Sequence, residues 1–210
     1  MKKTLAIIGA GDLGQQIAHY AIVDNHYNKV VFFDDFITNT EIAGHKVLGK
    51  IIDVQVAFKN NIFDELLIGI GYKHLNFKKE VYNKFENKIP FGKLIHSTCW
   101  IDETVKISPG CIIYPKCIID AHVTLDCNTI VNINCSISHH SSIAQHCFLS
   151  PRVAIAGFVK VGELSIIGIN ATLIDNINIA PSTQIGGGAV VVNNILTSGL
   201  YFGNPAKFIR

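Results

Sequence analysis

From Ile95 to Val191 an aliphatic residue returns at every sixth position without a miss: Ile95, Ile101, Ile107, Ile113, Ile119, Leu125, Val131, Ile137, Ile143, Leu149, Ile155, Val161, Ile167, Leu173, Ile179, Ile185 and Val191. Neither the 3.6-residue turn of a helix nor the two-residue alternation of a strand produces a period of six. Such a stretch is a repeat architecture in which each unit buries its apolar residue only by stacking on its neighbours.

Four residues after each aliphatic comes a second slot, filled by small residues such as Cys111, Val123, Thr129, Ser141, Val153 and Ala171. One large and one small inward residue per short strand fills a narrow coil without voids or clashes. Cys99, Cys111, Cys117, Cys135 and Cys147 all fall in the small slot, and only Cys127 does not. They read as interior fillers, not as disulfides or metal ligands.

This pattern resembles the hexapeptide-repeat acyltransferases. The resemblance implies a left-handed parallel β-helix with three six-residue sides per coil, so that residues 18 apart stack vertically. About five coils at ordinary strand spacing make a prism roughly 24 Å tall.

The first half has a different rhythm. In "TLAIIGAGDLGQQIAHYAIV" an apolar strand, a glycine turn and an amphipathic helix follow one another, with Leu13, Ile17, Ala18, Ala21 and Ile22 on one helix side. Further strands are expected in "KVVFFDD" and "ELLIGIG", a helix in "KKEVYNKFEN", and a linker in "KIPFG". That succession predicts an α/β Rossmann-like domain with a parallel sheet over residues 1–92 and a β-helix domain over residues 93–210. Gly9, Gly11 and Gly14 form G-x-G-x-x-G between strand and helix, and Asp34 and Asp35 end the second strand. Glycine amides at a helix N-terminus suit a phosphate, and the acid suits a ribose. A domain this short holds one mononucleotide half, hence a single nucleotide.

Composition narrows the function. Apolar residues make up 49% and charged residues 16%, with a formal net charge of +2, which fits a well-buried chain and excludes a disordered one. Scattered Lys and Arg without interleaved aromatics give no nucleic-acid surface. The opening "MKKTLAIIGAGDLG" imitates a secretory signal, but Asp12 breaks the apolar run early. No other stretch approaches the roughly 20 apolar residues of a membrane span. The expectation is a cytoplasmic protein without membrane insertion.

Across both halves, "GAGDLG", "FFDD", "IGIG", "LIHSTCWI", "SISHHSSI", "AIAGFVKVG", "IGIN", "GGGAVVV" and "GNPAK" resemble the bacterial sugar acyltransferases of the sialic acid O-acetyltransferase and UDP-N-acetylbacillosamine N-acetyltransferase type. The resemblance implies a nucleotide-activated sugar held by Gly9, Gly11, Asp34, Asp35, Gly69 and Gly71. It implies acetyl-CoA as cosubstrate near Gly157, Ile169, Asn170, Gly187, Gly188 and Lys207, no metal, and a homotrimer. Family members often carry Gly-His where this chain has Asp12-Leu13, and an Arg after "IG" where it has Tyr72, Lys73 and His74.

Acyl transfer to an amine or hydroxyl needs a base that deprotonates the attacking atom, a role suited to histidine. The family's catalytic histidine corresponds to His139. The 18-residue offset independently puts the side-chain-free amide of Gly157 over it, where it would stabilise the thioester oxyanion. His140 stands where relatives carry Glu or Asp to orient the imidazole. The expected activity is acetyl-CoA-dependent N-acetylation of a nucleotide-linked amino sugar in surface-glycan biosynthesis, with O-acetylation of a sialic acid-like sugar as the alternative. Two other classes stay open. A non-catalytic sugar-nucleotide scaffold would explain the missing acid, and a metal-dependent hydrolyase would use His122, His140 and His146 as ligands.

Overall fold

The computed structural model describes residues 3–210, so Met1 and Lys2, the start of the signal-like opening, lie outside it. The chain forms two compact units, one ending at Leu94 and one spanning Ile95–Arg210.

The first unit contains β1 (Thr4–Ile8), α1 (Asp12–Val23), β2 (Lys29–Phe33), β3 (Glu41–Ile42), β4 (His45–Gly49), α2 (Val54–Lys59), β5 (Glu65–Ile68) and α3 (Leu75–Phe85). Its sheet has the order β3-β4-β2-β1-β5. The strands β4, β2, β1 and β5 run parallel, whereas β3 pairs antiparallel with β4. The sheet is therefore mixed, not all-parallel as expected, because Ala43 and Gly44 turn left-handed and fold the chain back as a hairpin. Continuous apolar runs in β1, β2 and β5 suit strands buried on both faces.

The helix α1 starts behind Gly11 and buries Gly14, Ile17, Ala18 and Ala21, an i, i+3, i+4, i+7 stripe. Asp12 in its first turn complements the helix dipole. The expected helix over "KKEVYNKFEN" begins earlier, at Leu75, and ends at Phe85. Among the described residues no helix is long and apolar enough to cross a membrane.

The second unit is a parallel β-helix. Two-residue strands stack into three faces, every pair in register with the residue 18 positions on: Ile137 with Ile155 on the first face, Ile143 with Val161 on the second, Val131 with Leu149 on the third. The third face is extended by Gly199–Phe202 and Lys207–Phe208. Every aliphatic of the six-residue period from Ile113 to Val191 is buried in one core.

Position within the hexapeptide also sets the corners. Counting the core aliphatic as zero, the third residue after it adopts positive φ in coil after coil: Lys116, His122, Asn128, Asn134, His140, His146, Arg152, Phe158, Leu164, Asn170, Asn176 and Ser182. None is β-branched, and Asn and His dominate, as the left-handed region demands. The residue just before this corner leaves its N–H outside the ladder, and Pro109, Pro115, Pro151 and Pro181, four of the six prolines, occupy that slot. In the small slot, thiols and hydroxyls share one job up to Ser165: each donates to a carbonyl 15 residues ahead, as Cys135 Sγ does to Ser150 O at 3.2 Å and Ser141 Oγ to Ala156 O at 2.8 Å, whereas Thr183 near the last coil turns back to Ala180 O at 2.7 Å. Cys, Ser and Thr are therefore interchangeable there, and all six cysteines are free.

Candidate active site

His139 occupies the outward slot before the corner that joins the first face to the second. It is exposed, and its ring lies against Gly157 one coil along. A Cβ at position 157 would stand 2.7 Å from His139 Cε1 and 3.1 Å from Nε2. The missing side chain is thus what lets the imidazole lie there. The carbonyl of Gly157 accepts the Asn176 N–H at 3.0 Å and the His139 carbonyl accepts the Phe158 N–H at 3.1 Å, while the Gly157 N–H has no acceptor among the described residues. The slot that elsewhere tolerates proline here supplies an unengaged donor beside an imidazole. That arrangement suits a proton acceptor and an oxyanion donor acting on one atom pair.

His139 Nδ1 lies 3.3 Å from His140 Nδ1. His140 sits on the left-handed corner with φ +60 and packs between two other rings. Its ring centroid is 4.7 Å from that of His122 and 4.9 Å from that of Phe158, the latter nearly parallel at 21°. His146, the third member of the metal reading, is on a different corner, between the second and third faces. There it is buried and its Nδ1 lies 3.0 Å from Asn128 Nδ2. The three histidines do not converge, and among the described residues no group of three His, Cys, Asp or Glu side chains is placed to hold a metal.

The residues named for acetyl-CoA divide between corners. Gly157 lies at the first corner with His139. Ile169, Asn170, Gly187 and Gly188 cluster at the corner between the third and first faces, where Gly188 N–H donates to Ile169 O at 2.7 Å and a Cβ at Gly187 would meet Ile169 Cγ2 at 3.0 Å. One side of a coil separates the two groups, six residues or at most about 20 Å of extended chain. Lys207 is exposed in the terminal strand Lys207–Phe208.

In the first unit, a cleft of about 490 Å³ opens at the C-terminal ends of β1, β2 and β5, the usual ligand position of such sheets. Its glycines have two jobs. Gly9, Gly14 and Gly69 pack backbone on backbone: a Cβ on Gly14 would lie 1.9 Å from Gly9 O, and one on Gly69 2.7 Å from Gly14 Cα. Gly11 and Gly71 line the cleft and would meet nothing within 4 Å. They present bare backbone to a ligand.

The acids also differ. Asp34 Oδ2 accepts the Ala10 N–H at 2.8 Å, and Oδ1 accepts those of Phe36 and Ile37 at 2.9 and 3.1 Å. Its carboxylate ties the glycine loop to the turn after β2, and its position in the cleft wall is that of a brace. Asp35 spends Oδ1 on the Ile51 N–H at 2.8 Å and keeps the other oxygen for the cleft. Sequence reasoning missed Phe36 and Phe77, which complete the cleft together with His74, one of the residues standing where relatives carry an Arg after "IG". The available signal was a phenylalanine directly after Asp34 and Asp35, in the turn that follows the second strand; in the structure it is 89% exposed.

A family profile described as the PglD N-terminal domain matches residues 4–85. Over its whole length the chain is similar to the acetyltransferase domain of PglB from Neisseria gonorrhoeae, solved in complex with acetyl coenzyme A, at 25% identity with 100% of both chains covered and a TM-score of 0.92. The fold is shared with GDP-perosamine N-acetyl transferase from Caulobacter crescentus, at 23% identity, 99% and 97% coverage and a TM-score of 0.92. It is shared again with WeeI from Acinetobacter baumannii, at 18% identity, 98% and 99% coverage and a TM-score of 0.83.

Proposed function

Because the chain belongs to the PglD-type family of hexapeptide-repeat acetyltransferases, we propose that it transfers the acetyl group of acetyl-CoA to the free amine of a nucleotide-linked sugar. The observation that carries this reading is the His139 imidazole lying on Gly157, whose amide N–H is unengaged. The amine nitrogen attacks the thioester carbonyl, and His139 Nε2 removes its proton. Negative charge on the carbonyl oxygen is met by the Gly157 N–H. Collapse of the tetrahedral intermediate breaks the carbon–sulfur bond, and the imidazolium returns its proton to the departing thiolate. The products are coenzyme A thiol and the N-acetylated sugar nucleotide.

The nucleotide part is assigned to the cleft of the first unit. Gly11 and Gly71 let phosphate oxygens approach the backbone, and the free oxygen of Asp35 accepts a ribose or base donor. Acetyl-CoA is assigned to the β-helix. Its contacts at Ile169, Asn170, Gly187 and Gly188 lie a coil side away from Gly157, which favours a groove shared between two copies and a homotrimer with three such grooves. The domains are taken as residues 1–92 and 93–210, and the reaction is placed in the cytoplasm.

A thiol-release assay with acetyl-CoA and a panel of UDP-, dTDP-, GDP- and CMP-linked amino sugars tests the assignment. Turnover with at least one amino-sugar nucleotide is expected. Release only with sialic acid-like hydroxyl acceptors would replace N- by O-acetylation, and no release with any acceptor would remove the enzymatic reading. Sedimentation equilibrium checks the trimer.

A further inference from the structure

We propose that His140 is a positioning residue: its neutral imidazole accepts the Nδ1–H of His139, fixing the tautomer that leaves His139 Nε2 free to take the acceptor's proton. The inference rests on the reading of His139 as the base.

Two ring nitrogens 3.3 Å apart form a hydrogen bond only if one carries a proton and the other a lone pair. If His139 were the acceptor, its own proton would sit on Nε2 and that nitrogen could not act as a base. The productive arrangement therefore has His139 donating from Nδ1 and His140 protonated on Nε2. A carboxylate at position 140 would accept the same proton while adding a negative charge. The imidazole accepts it without charge, and only while neutral.

The surroundings of His140 restrict it to this task. Its N–H donates to Ala121 O at 2.9 Å, and its backbone is held at φ +60 by the corner. Its ring lies between His122 on the preceding coil and Phe158 on the next. Phe158 also meets the His139 ring edge-on at 5.3 Å, so one aromatic side chain steadies both imidazoles. The titratable groups facing His140 are His139 on its own coil and His122 below it; Phe158, above, carries no charge. Below His122 the column reaches Thr104, whose Oγ1 accepts the His122 N–H at 2.7 Å and donates to Asp102 Oδ1 at 2.6 Å. That bond, the Thr104 N–H and the nearby His122 hold the Asp102 carboxyl below its usual value, so the acid at the foot of the column stays ionised.

The consequence is a reaction that needs two neutral imidazoles, one to take the proton and one to hold it in position. A carboxylate at 140 would do the second job as well, because it accepts the same Nδ1–H. The test compares wild type, His140→Ala and His140→Glu, with melting curves for all three. His140→Ala should lower kcat about 10-fold or more with KM for acetyl-CoA little changed and the melting temperature held. His140→Glu should restore kcat toward wild type. The proposal is overturned if His140→Ala keeps wild-type kcat, or if His140→Glu is no more active than His140→Ala. His139→Ala run alongside separates the two readings: an active His139→Ala enzyme removes the base itself, whereas an inactive one beside an unaffected His140→Ala removes only the positioning role.

Discussion

In the β-helix, residues meet because they are 18 apart; in the α/β unit, they meet because strands far apart in the chain lie side by side. His139 lies on Gly157 by register alone, the same register that pairs Ile137 with Ile155. Gly14 lies on Gly69 only because β5 pairs directly with β1 while β2 takes the other edge. The first kind of site appears in one column of the repeat: His139 and Gly157 stand where the positions stacked with them carry Glu103, Ala121 and Asp175. The second kind is hidden in loops after strands, where sequence distance says little about contact. Changes at the two sites should therefore fail differently, the first in chemistry with the fold intact, the second in folding and binding together.

The largest effect is expected at the base. His139→Ala should reduce kcat by about 10²-fold or more. The side chain is exposed and contributes nothing to the core, so the melting temperature should stay within about 2 °C of wild type. Steady-state thiol release and a calorimetric melt check both halves. A large loss of melting temperature would show that the β-helix site is not separable from its scaffold.

Gly14→Ala is the counterpart in the α/β unit. The new methyl would lie 1.9 Å from a backbone carbonyl oxygen, which no side-chain rotation relieves, so the loop between β1 and α1 must shift. A cost of about 3 kcal/mol is expected, at the upper end of overpacking penalties. In kinetics, KM for the sugar nucleotide should rise while KM for acetyl-CoA holds. An unchanged melt with an unchanged KM would mean that the glycine loop relaxes more easily than its close packing implies.

These contrasts also explain what was legible in the sequence. The repeat and its inward residues follow from counting, and once the family resemblance sets 18 residues per coil the same count puts Gly157 over His139, because a residue's surroundings repeat with its position in the hexapeptide. The corner slot was equally countable, yet His122, His140 and His146 were weighed as metal ligands instead of as occupants of a left-handed corner. Asn128, Asn134, Asn170 and Asn176, with no β-branched residue in that slot between Lys116 and Ser182, carried that signal. In the first unit the glycine motif located the loop but could not separate the packing role of Gly9 and Gly69 from the exposed backbone of Gly11 and Gly71. Nor could it show that three amides occupy Asp34. Those distinctions depend on strand order and on the hairpin Glu41–Gly49, which no local periodicity announces.

Gly157→Ala should give a smaller effect that sharpens the contrast. Its methyl would meet the end of a side chain, not backbone, and Gly157 has no left-handed φ to strain. The His139 ring swings away while the coil keeps its register. A loss of about 10-fold in kcat, roughly 1.4 kcal/mol, is expected with little change in stability. Because both substitutions act on one imidazole, His139→Ala with Gly157→Ala should be hardly worse than His139→Ala alone. Additive losses would show that the Gly157 N–H works independently of the ring.

The smallest effect is expected in the interior, where the repeat makes residues replaceable. Cys117 and Cys135 stack 18 positions apart, and the Cys117 thiol is pushed up to about 12 by its contact with Cys135 and by burial, against a weaker opposing contact with Cys99. It stays protonated at any physiological pH and is a poor nucleophile. Cys135→Ser keeps the donor that Cys135 Sγ directs to Ser150 O, and Ser141 makes the corresponding bond at 2.8 Å in the next small slot. The change trades some sulfur packing for a stronger hydrogen bond, so unfolding free energy should move by less than about 1 kcal/mol with no change in kcat. Denaturant melts and the thiol-release assay measure the two. A loss well above that value would mean that the cysteine ladder, unlike its serine and threonine neighbours, is matched to the volume of sulfur and not only to its donor.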